Sequence, residues 1–84
     1  MAIARELYGT SGCPYTREVR EHLEWEGHEF LEFDVDADPV ARRRLDALMG
    51  GARLVPVLVE DGKVASVGWH GRGCALSPAD AGPA

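Results

Sequence analysis

No run of apolar residues in this 84-residue chain is long enough to cross a bilayer, so no membrane partner is expected. The opening Met1-Ala2-Ile3-Ala4-Arg5-Glu6 lacks a basic region followed by an apolar stretch, so no signal peptide is expected either. Basic residues are in deficit. The net charge of −5 argues against nucleic acid as a partner. There is no internal repeat, and the one low-complexity piece is the tail, Ser77-Pro78-Ala79-Asp80-Ala81-Gly82-Pro83-Ala84, expected to be disordered. Cysteine is scarce: Cys13 and Cys74 are the only two. With no signal sequence, that usage points to a reducing cytoplasm and to reactive rather than structural sulfur. The length allows one domain with a small core, placed at residues 1–76, with 77–84 as a tail.

What is present is organised around Gly9-Thr10-Ser11-Gly12-Cys13-Pro14-Tyr15-Thr16. A short apolar segment ends at Leu7-Tyr8, and a helical pattern with Val19 and Leu23 on one face begins just after. Cys13 therefore sits where a strand feeds a helix N-terminus. Unpaired backbone N–H groups and the positive end of the helix dipole favour a thiolate there, and the thiolate is the nucleophile. Pro14 suits the first helical turn, and Gly9 and Gly12 allow a tight turn expected to leave the sulfur accessible. The competing reading of Cys13 is a buried small hydrophobe.

The rest of the chain follows in alternation. Ala4 to Thr10 reads as a strand and Pro14 to Glu26 as a helix with Tyr15, Val19 and Leu23 inward, Trp25 packing at its end and Gly27 as its stop. The charged residues of this helix read as a solvated face. His28 to Val35 reads as a strand with Leu31, Phe33 and Val35 on one face. Asp38 caps a second helix that starts at Pro39, buries Ala41, Leu45, Leu48 and Met49, and ends at Gly50-Gly51; Arg42-Arg43-Arg44 reads as solvated surface. Arg53 to Val59 is a nearly continuous apolar strand, expected to be buried on both faces, with Pro56 near its beginning. Asp61-Gly62 makes a hairpin turn, Lys63 to Gly68 a last strand, and Gly68-Trp69-His70-Gly71-Arg72-Gly73-Cys74 a glycine-rich loop. The order β-α-β-α-β-β predicts an α/β fold with a four-stranded mixed sheet and no third helix.

Element order, the Cys13-Pro14-Tyr15-Thr16 helix start, the Val55-Pro56 pair and the Gly73-Cys74 loop resemble a glutaredoxin with a thioredoxin-like fold. More narrowly, residues 9–16, 55–63 and 68–74 resemble the Uxx-star family of glutaredoxin-like proteins, many of which carry selenocysteine where this chain has Cys13. The resemblance implies catalytic roles for Cys13 and, as its neighbour one turn on, Thr16, which stands where a dithiol glutaredoxin has its second cysteine. It implies a cis bond at Val55-Pro56, with the Val55 backbone offered to a peptide or glutathione strand. Arg53, Gly73 and Cys74 match the positions that receive the two ends of glutathione, and Tyr15 flanks the site. Two charges of the usual pattern are missing: a lysine is replaced by Thr10, and an acidic residue by Ala75.

The expected activity is thiol–disulfide exchange by Cys13 on protein or low-molecular-weight disulfides. The resemblance implies glutathione as a possible co-substrate, and no bound cofactor or metal is expected. Thr16 is expected to hydrogen-bond the thiolate, and external glutathione, a substrate thiol or Cys74 to resolve the mixed disulfide. His70 reads as an exposed loop residue. The alternatives are an iron–sulfur or glutathione-dependent carrier and a peroxide-reducing selenoprotein homologue. Without a third helix, some of Val57, Val59, Val64 and Val67 should lie under thin cover. Either a homodimer with Trp69 at its rim or the folded-back Trp69 loop would cover them.

Overall fold

The computed structural model describes residues 3–76. Its elements are β1 (Arg5–Gly9), α1 (Pro14–Trp25), β2 (Leu31–Asp34), α2 (Pro39–Met49), β3 (Leu54–Val55), β4 (Val57–Glu60), β5 (Lys63–Val67) and β6 (Cys74–Ala75). Four strands form a mixed sheet in the order β2-β1-β4-β5, with β1 parallel to β2 and the other pairs antiparallel. The tail expectation for 77–84 lies outside the described residues.

Side chains of consecutive strand residues point to opposite faces, and this decides where each helix packs. In β1, Leu7 joins Val19 and Leu23 of α1, while Tyr8 joins Ala41 and Leu45 of α2. In β4, Leu58 faces the α1 cluster, and Val57 and Val59 face the α2 cluster. The two helices therefore cover opposite faces. Among the described residues there is no third helix.

Local chemistry sets the helix ends. The Asp38 carboxylate accepts from the N–H groups of Val40 and Ala41 at 3.0 and 3.1 Å, capping α2. Gly50, left-handed at φ 67°, closes it, and the Asp46 carboxylate accepts from the Ala52 N–H at 2.8 Å beyond the cap. In α1, Cys13 itself is the N-cap residue, extended at φ −91° and ψ 115°, and Pro14 follows as the first helical residue. The helix runs tight against β1 at Gly9, where a Cβ would overlap the Thr16 side chain.

Several expectations change. Pro56 splits the expected strand Arg53 to Val59 in two: β4 stays in the main sheet, while β3 leaves it and pairs antiparallel with β6. The Val55-Pro56 bond is cis, as expected. Leu54 is exposed, so the run is not buried on both faces throughout. Trp25 does not pack at the end of α1. It is 89% exposed, because the inward stripe of the helix runs through Thr16, Val19 and Leu23. Leu31 is exposed at the start of the edge strand β2, which is shorter than read.

The charged faces are also less solvated than expected. Arg20 grips Glu32 of β2 through Nε and Nη2 at 2.7 and 2.9 Å. Arg42 holds Asp46 one turn on, and Arg44 lies 5.5 Å from the Phe33 ring centre, leaving Arg43 facing water. The Tyr8 hydroxyl donates to Glu6 at 2.8 Å, and burial first and this carboxylate second raise its pKa.

Cover over the sheet is uneven. Val57 and Val59 are fully buried beneath α2, whereas their partners Val67 and Val64 on the edge strand are 43% and 36% exposed. On the other face the Trp69 loop folds back within the chain. Trp69 packs on the Leu7, Val19 and Leu23 cluster with its ring 5.2 Å from that of His22.

Two stability measurements follow from this packing. Leu45→Ala removes a fully buried side chain and should cost about 2–5 kcal/mol in denaturant unfolding; a loss under about 1 kcal/mol would contradict the assigned α2 core. Gly9→Ala should cost about 1–3 kcal/mol by overpacking against Thr16. Adding Thr16→Ala should restore most of that loss, and strict additivity of the two changes would contradict the close approach.

Candidate functional site

Three segments distant in sequence meet at one end of the sheet. The turn before α1 brings Cys13, the break at Pro56 brings Val55, and the glycine-rich loop brings Cys74. Cys13 and Cys74 are joined by a disulfide across a sequence separation of 61, with Cα atoms 5.9 Å apart. Val55 and Cys74 are register partners across the antiparallel β3–β6 pair, and the Cys13 sulfur lies 4.0 Å from the Val55 carbonyl oxygen. The ladder continues where the Leu76 N–H donates to the Arg53 carbonyl at 2.8 Å.

The loop reaches this position through a compact turn. The Gly68 N–H donates to the Pro56 carbonyl at 2.7 Å, and Trp69 and Arg72 exchange N–H···O bonds of 2.6 and 2.9 Å. His70 and Gly71 occupy the turn, both at positive φ. Gly68 has φ 80° and lies so close to the Arg72 carbonyl that a Cβ would sit 2.6 Å from it; glycine meets both demands. The Trp69 ring lies between His22 and His70, with the His70 ring edge-on at 4.4 Å.

The sulfur of Cys13 is not accessible as expected. Cys13 is only 3% exposed and belongs to the core cluster that includes Val55 and Tyr8, with Cys74 packed against it. The reason is the bonded β6 strand lying over it. The reading of Cys13 as a buried small residue thus describes its environment in this oxidised form, though not its chemistry.

Thr16 also differs from expectation. It is 1% exposed, and its hydroxyl oxygen has no hydrogen-bond partner among the described residues. In the disulfide form there is no thiolate for it to bond. Its methyl and hydroxyl groups instead fill the space above Gly9.

The other anticipated residues fall around this centre. Pro56 is buried, and Gly73 packs against the Val55 carbonyl, where a Cβ would approach to 2.7 Å. Tyr15 is half-buried beside the core cluster and lines a cleft of about 300 Å³ with Glu18, Trp69, His70 and Arg72. A smaller cleft of about 140 Å³ runs along Ser11, Gly12, Cys13, Pro14, Arg17 and Arg20. Arg53 is exposed, its carbonyl engaged by Leu76 and its side chain pointing to water. The β3–β6 ladder that aligns the two cysteines was missed by sequence reasoning. Two-residue strands carry no periodic signal, and the single clue was a cysteine ending a glycine-rich loop.

Comparison with known proteins agrees with this arrangement. The probable glutaredoxin of Synechocystis sp. is 35% identical over 57 residues, covering 67% of this chain and 52% of that relative, so the chain matches about half of its length. The crystal structure of a mutant of the thioredoxin-like protein BC3987 superposes with a TM-score of 0.70 at 33% identity, covering 79% of this chain and 82% of that one. The structure of BC3987 without that mutation gives 0.67 at 34% identity over 74% and 84%. The narrower Uxx-star resemblance has no counterpart in these matches. The glutaredoxin family model covers residues 6–65, which take in both helices and most of the four-stranded sheet, and the chain belongs to the glutaredoxin family, with its thioredoxin-like fold.

Proposed function

We propose that the protein is a thiol–disulfide oxidoreductase in which Cys13 attacks and Cys74 resolves. The observation that supports this most is the disulfide joining the helix-capping Cys13 to the loop cysteine. The Cys13-Pro14-Tyr15-Thr16 motif holds one thiol, and the glycine-rich loop supplies the second from 61 residues away. The motif alone offers Cys13 as a single-thiol nucleophile, and of the three candidate resolving thiols this reading takes Cys74, which the fold brings to it.

In the forward direction the Cys13 thiolate attacks one sulfur of a substrate disulfide. An S–S bond forms to that half, and the other half leaves as a thiolate. The Cys74 thiolate then attacks the Cys13 sulfur, releasing the second half as a thiolate. The substrate gains two electrons and the protein is left with the Cys13–Cys74 disulfide. Two molecules of a low-molecular-weight thiol, glutathione being the family's usual one, return it to the dithiol and become a disulfide themselves. Backbone N–H groups at the start of α1 stabilise the thiolate in the reduced state.

For glutathione, Arg53 is free to meet a carboxylate, and Gly73 and Cys74 offer backbone to the other end. Thr10 and Ala75 carry no charge to assist. Protein disulfides in the cytoplasm are the other substrates this reading takes in. A selenol at position 13 would act by the same route, and the codon at this position in the gene tests that version.

Cys13→Ser should abolish disulfide reduction in a coupled thiol assay, and wild-type turnover by that variant would overturn the proposal. Cys74→Ser should form a Cys13–glutathione mixed disulfide that persists and is visible by intact mass. A wild-type protein that accumulates the same adduct to the same level would show that Cys74 does not resolve it. Thr16→Val should leave the oxidised protein at least as stable as wild type, because it removes an unpaired buried hydroxyl whose burial costs about 1–3 kcal/mol. A thermal midpoint clearly below wild type would show that the hydroxyl is satisfied.

A further inference from the structure

β3 presents a backbone edge beside Cys13, and in this structure the chain's own β6 has joined it. The arrangement has three parts. Cys74 is covalently bound to Cys13. Its backbone is in register with Val55, antiparallel. The residue after the pair, Leu76, donates its N–H to Arg53 at 2.8 Å and packs on the core cluster that holds Cys13. A substrate peptide caught as a mixed disulfide on Cys13 needs the same three things: a sulfur at Cys13, backbone pairing on the open edge, and a following residue on the core. Two strands cannot occupy that edge together.

Resting on the dithiol reading above, we propose that Gly73-Cys74-Ala75-Leu76 is an internal stand-in for substrate. The substrates are then extended peptide disulfides whose reacting cysteine is preceded by glycine, and they pair with β3 by displacing β6. The demand for glycine comes from one contact. At the position before the cysteine, a Cβ would sit 2.7 Å from the Val55 carbonyl oxygen, a backbone atom that cannot swing away as a side chain can. The position after the cysteine is open: Ala75 is exposed opposite the exposed Leu54, and tolerates any side chain. The chemistry is the exchange already written. Cys13 takes one sulfur of the peptide disulfide while β6 is displaced. As β6 returns to the edge, it drives the peptide strand off and brings Cys74 to the Cys13 sulfur, which releases the peptide thiolate. Resolution and product release are then one motion.

The test uses the full-length Cys74→Ser protein and two synthetic peptides, Ser-Gly-Gly-Cys-Ala-Leu and Ser-Gly-Val-Cys-Ala-Leu, each as a mixed disulfide with nitrothiobenzoate. Release of the coloured thiolate is followed in a single turnover. A tenfold or greater advantage for the glycine peptide is expected, with the small symmetrical nitrothiobenzoate disulfide as control. Equal rates for the two peptides, with the control still reduced, overturn the inference and leave the exchange reading standing. Failure to reduce the control as well overturns both. In the trapped complex with the glycine peptide, amide hydrogen exchange at Leu76 should speed up at least tenfold over the free variant, because its partner on Arg53 has been taken. Unchanged protection at Leu76 shows that the peptide lies elsewhere and overturns the displacement.

Discussion

The structure depends on one edge: the short backbone segment Leu54-Val55, cut loose from the central sheet by Pro56. Had the apolar run continued unbroken, its backbone groups would all have been spent inside the sheet. Because a proline N–H is lacking there, the run divides into a buried strand that completes the core and a two-residue strand that faces the helix start. That short strand gives β6 a partner, and β6 brings Cys74 to Cys13. Closing a loop of this length by a covalent bond removes about 4 kcal/mol of chain entropy from the unfolded state. Against a usual stability of roughly 5–15 kcal/mol for a whole domain, the redox state of this pair weighs heavily on the stability of the fold.

The central architecture was legible because its signals are local and redundant. The Asp38-Pro39 start and Gly50 stop of α2 and the Asp61-Gly62 turn each identify themselves within a few residues, and each stands where it was read. The site was legible in part, since the helix start and the Val-Pro pair are contiguous motifs. What could not be read were relations across the chain. Trp25 looks like a packing residue in sequence, but the inward stripe of α1 is set by the approach of Thr16 to Gly9, and that stripe leaves Trp25 in water. Arg42 looks like one of three solvated arginines, yet its neighbour one turn on is a carboxylate that also holds the chain leaving α2. The pairing of the two cysteines depends on a ladder of two residues a side, too short to leave a pattern.

The cover over the α1 face of the sheet and the cysteine pair are connected. With two helices among the described residues, the face beside α1 is covered by Trp69 and its tight turn rather than by a further helix. The same loop that carries this cover carries Cys74. Packing of the tryptophan against His22 and the leucine cluster therefore anchors one end of the segment whose other end is bonded to Cys13, and the hydrogen bond from Gly68 to Pro56 fixes where the loop starts. The loop thus has a fixed origin on the sheet and a terminus bonded to Cys13, the bond that the proposed exchange would make and break.

The most direct measurement is the fate of sulfur in the unmodified protein. Fully reduced protein is mixed with one equivalent of oxidised glutathione, quenched with acid at successive times, and mapped by peptide mass spectrometry. The account predicts a transient glutathione adduct on Cys13 that decays to a Cys13–Cys74 disulfide, with two glutathione thiols released per protein. A stable adduct on Cys13 with Cys74 remaining a free thiol would contradict it.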